Sequence, residues 1–174
     1  SQKPGNFSLQ PTRKTYTGVI SALAKNKDSK RAESLLQKMH READNGNSLL
    51  QPTTLPYNAV INAWARSRDK IAPSRAEQIL QWMDTLRLTN PSIQPDKYTF
   101  NTVIHAYAKS GGTAAATKAQ QLLTNMHNMY ESGNVMAKPD TISYNVVINA
   151  WAKSGGKGAA TEAEKLLAKM HRLH

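Results

Sequence analysis

The 174-residue chain contains no cysteine, few acidic residues and no long hydrophobic run. Without cysteine it can form neither a disulfide bond nor a thiolate-based catalytic or zinc site. No apolar segment approaches the roughly 18 residues that a membrane-spanning helix needs, so the sequence predicts no membrane-spanning helix and no membrane partner. Only 12 acidic residues accompany 23 lysines and arginines, which gives a formal net charge of +11. This excess favours a polyanionic partner or an acidic surface.

A nine-residue motif recurs four times in the chain. Two copies read Tyr-Asn-x-Val-Ile-Asn-Ala-Trp-Ala and two are variants of it, and the four copies cover residues 16–24, 57–65, 100–108 and 144–152. Each copy begins five residues after a proline, and a second motif, Ala-x-x-Leu/Ile-Leu-x-x-Met, follows it. The prolines are spaced by 41, 43 and 44 residues. Recurrence of this kind is typical of repeat architectures.

Both motifs have the spacing of amphipathic helices. In the last copy, Ala163, Leu166, Leu167 and Met170 follow the i, i+3, i+4, i+7 pattern of one apolar stripe. A Ser/Thr-x-x-Glu/Gln pattern, which predicts a capping box, precedes the second helix in three copies. These patterns are Ser74…Glu77, Thr117…Gln120 and Thr161…Glu164, and Ser29 is the expected cap in the first copy. Because neither helix can bury its stripe alone, we expect an all-α fold, an α-solenoid of about four stacked helix-turn-helix repeats.

The recurring prolines also predict how the chain is divided. Residues 1–10 form an N-terminal extension, and the four repeats cover residues 11–51, 52–94, 95–138 and 139–174, the last of them incomplete. We expect one continuous solenoid domain that is a segment of a longer array.

The first helix of each repeat has a polar row opposite its apolar side. At 100° per residue, the row of the last repeat lies within an arc of roughly 80°. It contains Ile142, Asn145, Asn149 and Lys153. In every repeat the row holds an amide or hydroxyl and ends in a cation. Cations bind phosphates, whereas amides and hydroxyls can hydrogen-bond to base edges. The row therefore predicts binding of single-stranded nucleic acid, although an ordinary solvated helix face would also fit it.

These motifs resemble the pentatricopeptide repeat family. The segment KPDTISYNVVINAWAKSGG, followed by ATEAEKLLAKM, carries the resemblance most closely, and QPDKYTFNTVIHAYAKSGG carries it almost as well. The resemblance implies a right-handed superhelix that binds single-stranded RNA, with one base bound by each repeat. It also implies a mitochondrial or chloroplast location and a role in RNA processing, stability or translation. The repeats here are longer than the usual unit of that family, both between their helices and in the loops.

The resemblance further implies that two residues read each base. One follows the tyrosine of a repeat, and the other follows the proline that opens the next repeat. The implied pairs are Thr17 with Thr53, Asn58 with Asp96, and Asn101 with Asp140, while Asn145 would pair beyond position 174. An Asn with an Asp favours uracil in that family, so repeats 2 and 3 are predicted to bind U. The resemblance implies no base for the Thr17 pair.

Two more sets of residues complete the predicted site. Leu55, Tyr98 and Ile142 would stack on the bases, whereas Lys14 occupies the equivalent place in the first repeat. The residue that ends each polar row would contact phosphates. These residues are Lys25, Arg66, Lys109 and Lys153.

The sequence shows no nucleophile, base and orienting acid at a useful spacing, so we predict no enzyme activity, no cofactor, no metal site and no small-molecule substrate. His40, His127 and His171 each follow the stripe methionine and are expected at helix ends, where a partly cationic imidazole is favourable. The aromatic residues of the first helix are expected to pack between helices. They are Trp64, Tyr107 and Trp151.

One alternative function remains open at this point. The chain could be a helical scaffold or a structural subunit of a ribonucleoprotein, such as an organellar ribosome, that binds protein or structured RNA without reading bases. The placement of the basic residues discriminates between the two functions. Concentration in a concave groove favours strand binding, and scatter over the convex face favours docking.

Overall fold

A computed structural model describes residues 9–172. These residues form eight α-helices and two 3₁₀ helices, Ser48–Leu50 and Val135–Ala137, so the predicted all-α class is confirmed. The α-helices are α1 (Arg13–Lys25), α2 (Ser29–Asp44), α3 (Thr54–Arg66), α4 (Ala72–Leu86), α5 (Lys97–Ser110), α6 (Gly112–Glu131), α7 (Thr141–Ser154) and α8 (Ala159–Arg172). Most of the predicted N-terminal extension and the last two residues of the fourth repeat lie outside the described residues. None of these helices has the length and apolar character needed to cross a membrane.

The helices stack in two layers. Each odd-numbered helix packs against the even-numbered helix that follows it, and each even-numbered helix also packs against the next odd-numbered one. Successive odd-numbered helices contact one another as well, whereas the even-numbered helices hardly touch each other within residues 9–172. Closer packing in one layer than in the other curves the stack, so the odd-numbered helices form the inner, concave layer. This arrangement is the predicted solenoid.

The apolar stripes of both layers merge into one continuous core. Ala76 and Met83 of α4 have no exposed surface, and Leu80 between them is almost completely buried. Each buried leucine or methionine side chain stabilises the fold by about 1.5–3 kcal/mol relative to an exposed one. Small alanines at the first stripe position let the neighbouring helices approach closely. The stack is therefore stabilised by apolar contacts both within each repeat and between neighbouring repeats.

Capping boxes begin three of the odd-numbered helices, α1, α5 and α7. The carboxylate of Asp96 accepts a hydrogen bond from the Thr99 amide over 2.8 Å, and Asp140 accepts one from the Ser143 amide over 3.0 Å. In both cases the hydroxyl of the later residue accepts in return from the backbone amide of the aspartate. The two aspartates thus have fixed rotamers at the start of α5 and α7.

The prediction of capping boxes for the even-numbered helices was wrong. Helices α4, α6 and α8 begin earlier than predicted, so Ser74, Thr117 and Thr161 lie inside them. Pro73 fits the first turn of α4, because a proline there lacks only an amide hydrogen that the helix does not use. In α2 the cap is Asp28, which accepts a hydrogen bond from the Arg31 amide, rather than Ser29.

The glutamates and the glutamine near the start of the even-numbered helices bind the next repeat instead. Glu33 accepts a hydrogen bond from Trp64 Nε1 over 2.8 Å and also pairs with Arg75. The same arrangement joins the next two interfaces. There Tyr107 bonds to Glu77, which pairs with Lys118 over 3.3 Å, and Trp151 bonds to Gln120, which bonds to Glu162 over 3.1 Å. The predicted packing of the three aromatic residues is confirmed, since they belong to or border the core. We call these three clusters the outer seam.

Two histidines lie in buried positions between repeats. His40 forms a hydrogen bond with Tyr57, and His127 Nε2 lies 2.6 Å from the Tyr144 hydroxyl. Burial lowers the pKa of both imidazoles, and a nearby Lys169 lowers the pKa of His127 further. The prediction that they are partly cationic at helix ends was therefore wrong.

The histidine position varies together with the tyrosine position. His171 is exposed in the last turn of α8, as predicted. At the interface between repeats 2 and 3, the histidine position is Asp84 and the tyrosine position is Phe100. Phe100 has no hydroxyl, and Asp84 instead pairs with Arg87. The two positions therefore change together.

Candidate nucleic-acid interface

The net positive charge of the helices is concentrated on the concave layer. Helices α1, α3, α5 and α7 contain no acidic residue. They carry seven cations: Arg13, Lys14, Lys25, Arg66, Lys97, Lys109 and Lys153. The four even-numbered helices together carry nine basic and eight acidic residues, so their charges nearly cancel. This is the distribution expected for a protein that holds a polyanionic strand in its groove.

The four cations predicted to contact phosphates form a series along this layer. Each lies in the last turn of its odd-numbered helix and is exposed. Within residues 9–172, none of Lys25, Arg66, Lys109 and Lys153 forms an ion pair. In the protein without RNA, these cations interact favourably with the negative, C-terminal end of their own helix dipole. They remain available for phosphates because no carboxylate neutralises them directly.

The structure brings Asn58 and Asp96 together. Asn58 Nδ2 lies 3.4 Å from Asp96 Oδ2, and the Thr99 hydroxyl lies 2.6 Å from Asn58 Oδ1. Only 8% of Asn58 is exposed. The amide is therefore held in one orientation at the base of the groove, and the half-buried carboxylate of Asp96 is the more accessible member of the pair.

Asn101 and Asp140 form the same contact in the next repeat. Asn101 Nδ2 donates to Asp140 Oδ1 over 3.3 Å, the orientation that a carboxylate requires because it only accepts. Asn101 Oδ1 is buried and has no hydrogen-bond partner among the described residues. Burial raises the pKa of Asp140, but hydrogen bonds from Ser143 and Asn101 and the charge of Lys97 outweigh it, so the pKa lies below its usual value. Asp140 is thus an ionised acceptor at neutral pH.

The first and last of the predicted base-reading positions are less organised. Thr17 and Thr53 are half-buried and line one cleft between α1 and α3, together with Lys14 and Leu55. Asn145 is exposed on α7. Among the predicted base-reading residues that the structure describes, the two middle pairs are therefore the ones held in place by direct side-chain contacts between repeats.

The three residues predicted to stack on bases are exposed although they are apolar or aromatic. Leu55, Tyr98 and Ile142 expose 68%, 51% and 60% of their surface. Tyr98 of α5 and Ile142 of α7 line a cleft of about 610 Å³ that also contains Asn101 and Asp140. A cleft bounded by two apolar surfaces, with polar groups at its base, has the form of a slot for a planar ring. We call it the α5–α7 slot.

Lys97, Asn62 and His105 also line the α5–α7 slot. Asn62 and His105 lie four residues before Arg66 and Lys109, at the place that Asn149 has in the polar row of the last repeat. Lys97 was not predicted as a site residue, since it precedes the row and only the fold places it beside the aspartate of the following repeat. Within residues 9–172 there is no cluster of three or more histidine, aspartate or glutamate residues that could hold a metal ion.

Comparisons with known protein families match two parts of the chain. A family model described as PPR repeat matches residues 14–42, and one described as pentatricopeptide repeat domain matches residues 79–157. The two matches together cover more than half of the chain, and the second includes all of α5, α6 and α7 and the contact between Asn101 and Asp140. No curated protein matches the chain significantly.

Proposed function

Because the chain belongs to the pentatricopeptide repeat family, whose members generally bind RNA without catalysing a reaction and typically act in organelles, we propose that it binds single-stranded RNA along its concave layer. Each repeat takes one base, and repeats 2 and 3 prefer uracil. The RNA is one that is processed, stabilised or translated in a mitochondrion or chloroplast. The observation that carries the proposal is the concentration of positive charge on the odd-numbered helices, which contain no acidic residue.

The chemistry of the two middle pairs supports the uracil preference. An ionised aspartate accepts hydrogen bonds, and an asparagine amide has a second hydrogen that can still donate. Uracil presents an N3–H donor between two carbonyl acceptors. Cytosine and adenine present an unprotonated ring nitrogen at the corresponding place, which a carboxylate repels. Asp96 and Asp140 are, moreover, the acidic residues that cap α5 and α7 within an otherwise basic layer.

The expected affinity is modest. Stacking contributes about 1–3 kcal/mol per base, and association has a considerable entropic cost. Three or four bound bases therefore give a dissociation constant in the micromolar range, which corresponds to a binding free energy of about −8 kcal/mol.

The test is a comparison of short labelled oligonucleotides by fluorescence anisotropy. U-rich and A-rich RNAs, single-stranded DNA and duplex RNA are titrated with the wild type, with Asn101→Ala and with Asn128→Ala. Asn128 is an exposed asparagine on α6 and serves as the matched control. We expect U-rich RNA to bind most tightly, and Asn101→Ala, but not Asn128→Ala, to reduce the preference for U by the contribution of one base. Equal binding of all four polyanions by the wild type would refute base reading.

A protein partner in an organellar ribonucleoprotein is the second candidate. The connections that lead into α3, α5 and α7 expose apolar side chains, which are Leu49, Leu88, Val135 and Met136. Exposed apolar groups along one edge favour a contact with protein. Binding that is equally weak for all polyanions would favour this candidate over strand recognition.

A further inference from the structure

Lys97 flanks the aspartate of the α5–α7 slot on the side opposite the asparagine contact. Its ammonium nitrogen lies 3.7 Å from Asp140 Oδ2, whereas Asn101 and Ser143 donate to Asp140 Oδ1. Within the described part of the chain, Asp140 Oδ2 forms no other ion pair or hydrogen bond. The carboxylate therefore lies between two donors, an amide and an ammonium group. Lys97 itself is largely exposed, so both groups can reach a base in the cleft.

From this arrangement we propose that Lys97 is a specificity-determining residue and that the α5–α7 slot is selective for uracil over guanine. The slot presents a donor, an acceptor and a donor in sequence, from Asn101, Asp140 and Lys97. The pairing edge of uracil presents an acceptor, a donor and an acceptor, from O4, N3–H and O2. Guanine matches the first two groups through O6 and N1–H, but its N2 amino group is a donor that faces the ammonium group of Lys97. The proposal rests on the proposed function, because it requires that a base enters this cleft.

The second repeat has the same pair of residues but no third group. Thr54 occupies the position of Lys97, and its hydroxyl is engaged with Gln94, donating to the carbonyl over 3.0 Å and accepting from the amide over 2.9 Å. The slot of Asn58 and Asp96 therefore contacts a base through two groups only. Two groups match uracil and guanine equally well, so this slot distinguishes the two bases less than the α5–α7 slot does.

A purely electrostatic role of Lys97 makes a different prediction. A cation that only attracts the backbone strengthens binding of every sequence to the same extent. A group that contacts the base edge changes the ratio of affinities for different bases. The ratio, and not the affinity, is therefore the informative quantity.

The experiment uses RNAs with two variable central bases in an A-rich context, and all sixteen combinations are measured by competition. Asn58→Ala and Asn101→Ala identify which variable base enters which slot, because each removes the preference at one of them. The U-to-G affinity ratio is then compared among the wild type, Lys97→Met and Lys97→Arg. Lys109→Met is the matched control, since it removes one exposed lysine from the same helix.

We expect Lys97→Met to lower the U-to-G ratio at the α5–α7 slot about fivefold, the effect of one lost charge-assisted hydrogen bond at an exposed site. The ratio at the other slot stays the same, and Lys97→Arg retains most of the selectivity. Lys109→Met lowers the affinity for every RNA by the same factor. If Lys97→Met also weakens all RNAs equally, the residue is only a backbone cation and the proposal is overturned, while a remaining preference for U over A keeps the proposed function. If the wild type shows no preference for U over A at either base, both are overturned.

Discussion

Replacing Lys109 with Gln should reduce the salt dependence of RNA binding by the contribution of one phosphate contact. For single strands, each neutralised phosphate contributes about −0.7 to the slope of log affinity against log salt concentration. Four cations in series therefore predict a slope of about −2.8, and the variant a slope of about −2.1. Between about 50 and 200 mM salt, the affinity should fall about 50-fold for the wild type and about 20-fold for the variant.

The assay is anisotropy of one labelled U-rich RNA, titrated at four or more salt concentrations. The matched control is Lys38→Gln, which removes an exposed lysine from α2 in the convex layer, where it pairs with Glu42 over 3.7 Å. A helix is about 10 Å wide, so a strand in the groove lies at least about one Debye length from this lysine. We therefore expect Lys38→Gln to have the wild-type slope.

The comparison can refute the reasoning directly. Equal reductions of the slope by the Lys109 and Lys38 substitutions would show that the whole surface attracts RNA diffusely. The series of cations at the ends of the odd-numbered helices would then have no special role, and docking on structured RNA would be the better interpretation of the charge.

Three further predictions concern stability. Burial lowers the pKa of His40 and His127, so the unfolded chain binds protons more readily than the folded protein does. The melting temperature should therefore fall as the pH drops below about 6.5, and replacing both histidines with leucine should make that fall less steep. Tyr57→Phe leaves a buried imidazole nitrogen unpaired and should cost about 1–3 kcal/mol in urea unfolding, whereas Phe100→Tyr, in the repeat without that histidine, should not gain the same amount. Glu33→Ala removes the partner of a buried indole and an arginine and should destabilise the protein more than substitution of an exposed glutamate such as Glu164 does.

The faces of the inner helices could be predicted because they depend on local periodicity. In α7, Asn145, Asn149 and Lys153 are exposed, and Val147 and Trp151 are buried, as the 100° advance indicates. The exposed position of Ile142 follows from the same geometry. The pairing of Asn101 with Asp140 spans 39 residues and came only from the resemblance to a family.

The contacts of the outer layer could not be predicted from local patterns. A glutamate three residues after a serine has the same spacing whether it closes a capping box or accepts from another repeat, so Glu77 was misassigned. The histidine–tyrosine contacts span 17 residues and have no local signature. The sequence nevertheless contains a signal. Histidine follows the stripe methionine where the nine-residue motif of the next repeat begins with tyrosine, whereas Asp84 follows it where that motif begins with Phe100.

The outer seam restricts how these repeats can be rearranged by module shuffling. Each cluster needs an acceptor from one repeat and a matching partner from the next, and the partners differ in charge from one interface to another. If the fourth repeat followed the second directly, Glu162 would face Glu77 instead of Gln120, and Tyr144 would meet Asp84 instead of His127. Two like charges would then replace a hydrogen bond at one cluster, and a buried hydroxyl would lose its imidazole. The proposed RNA-binding groove is modular in principle, but the contacts of the convex side depend on the order of the repeats, so an engineered array must exchange interfaces together with the predicted base-reading residues.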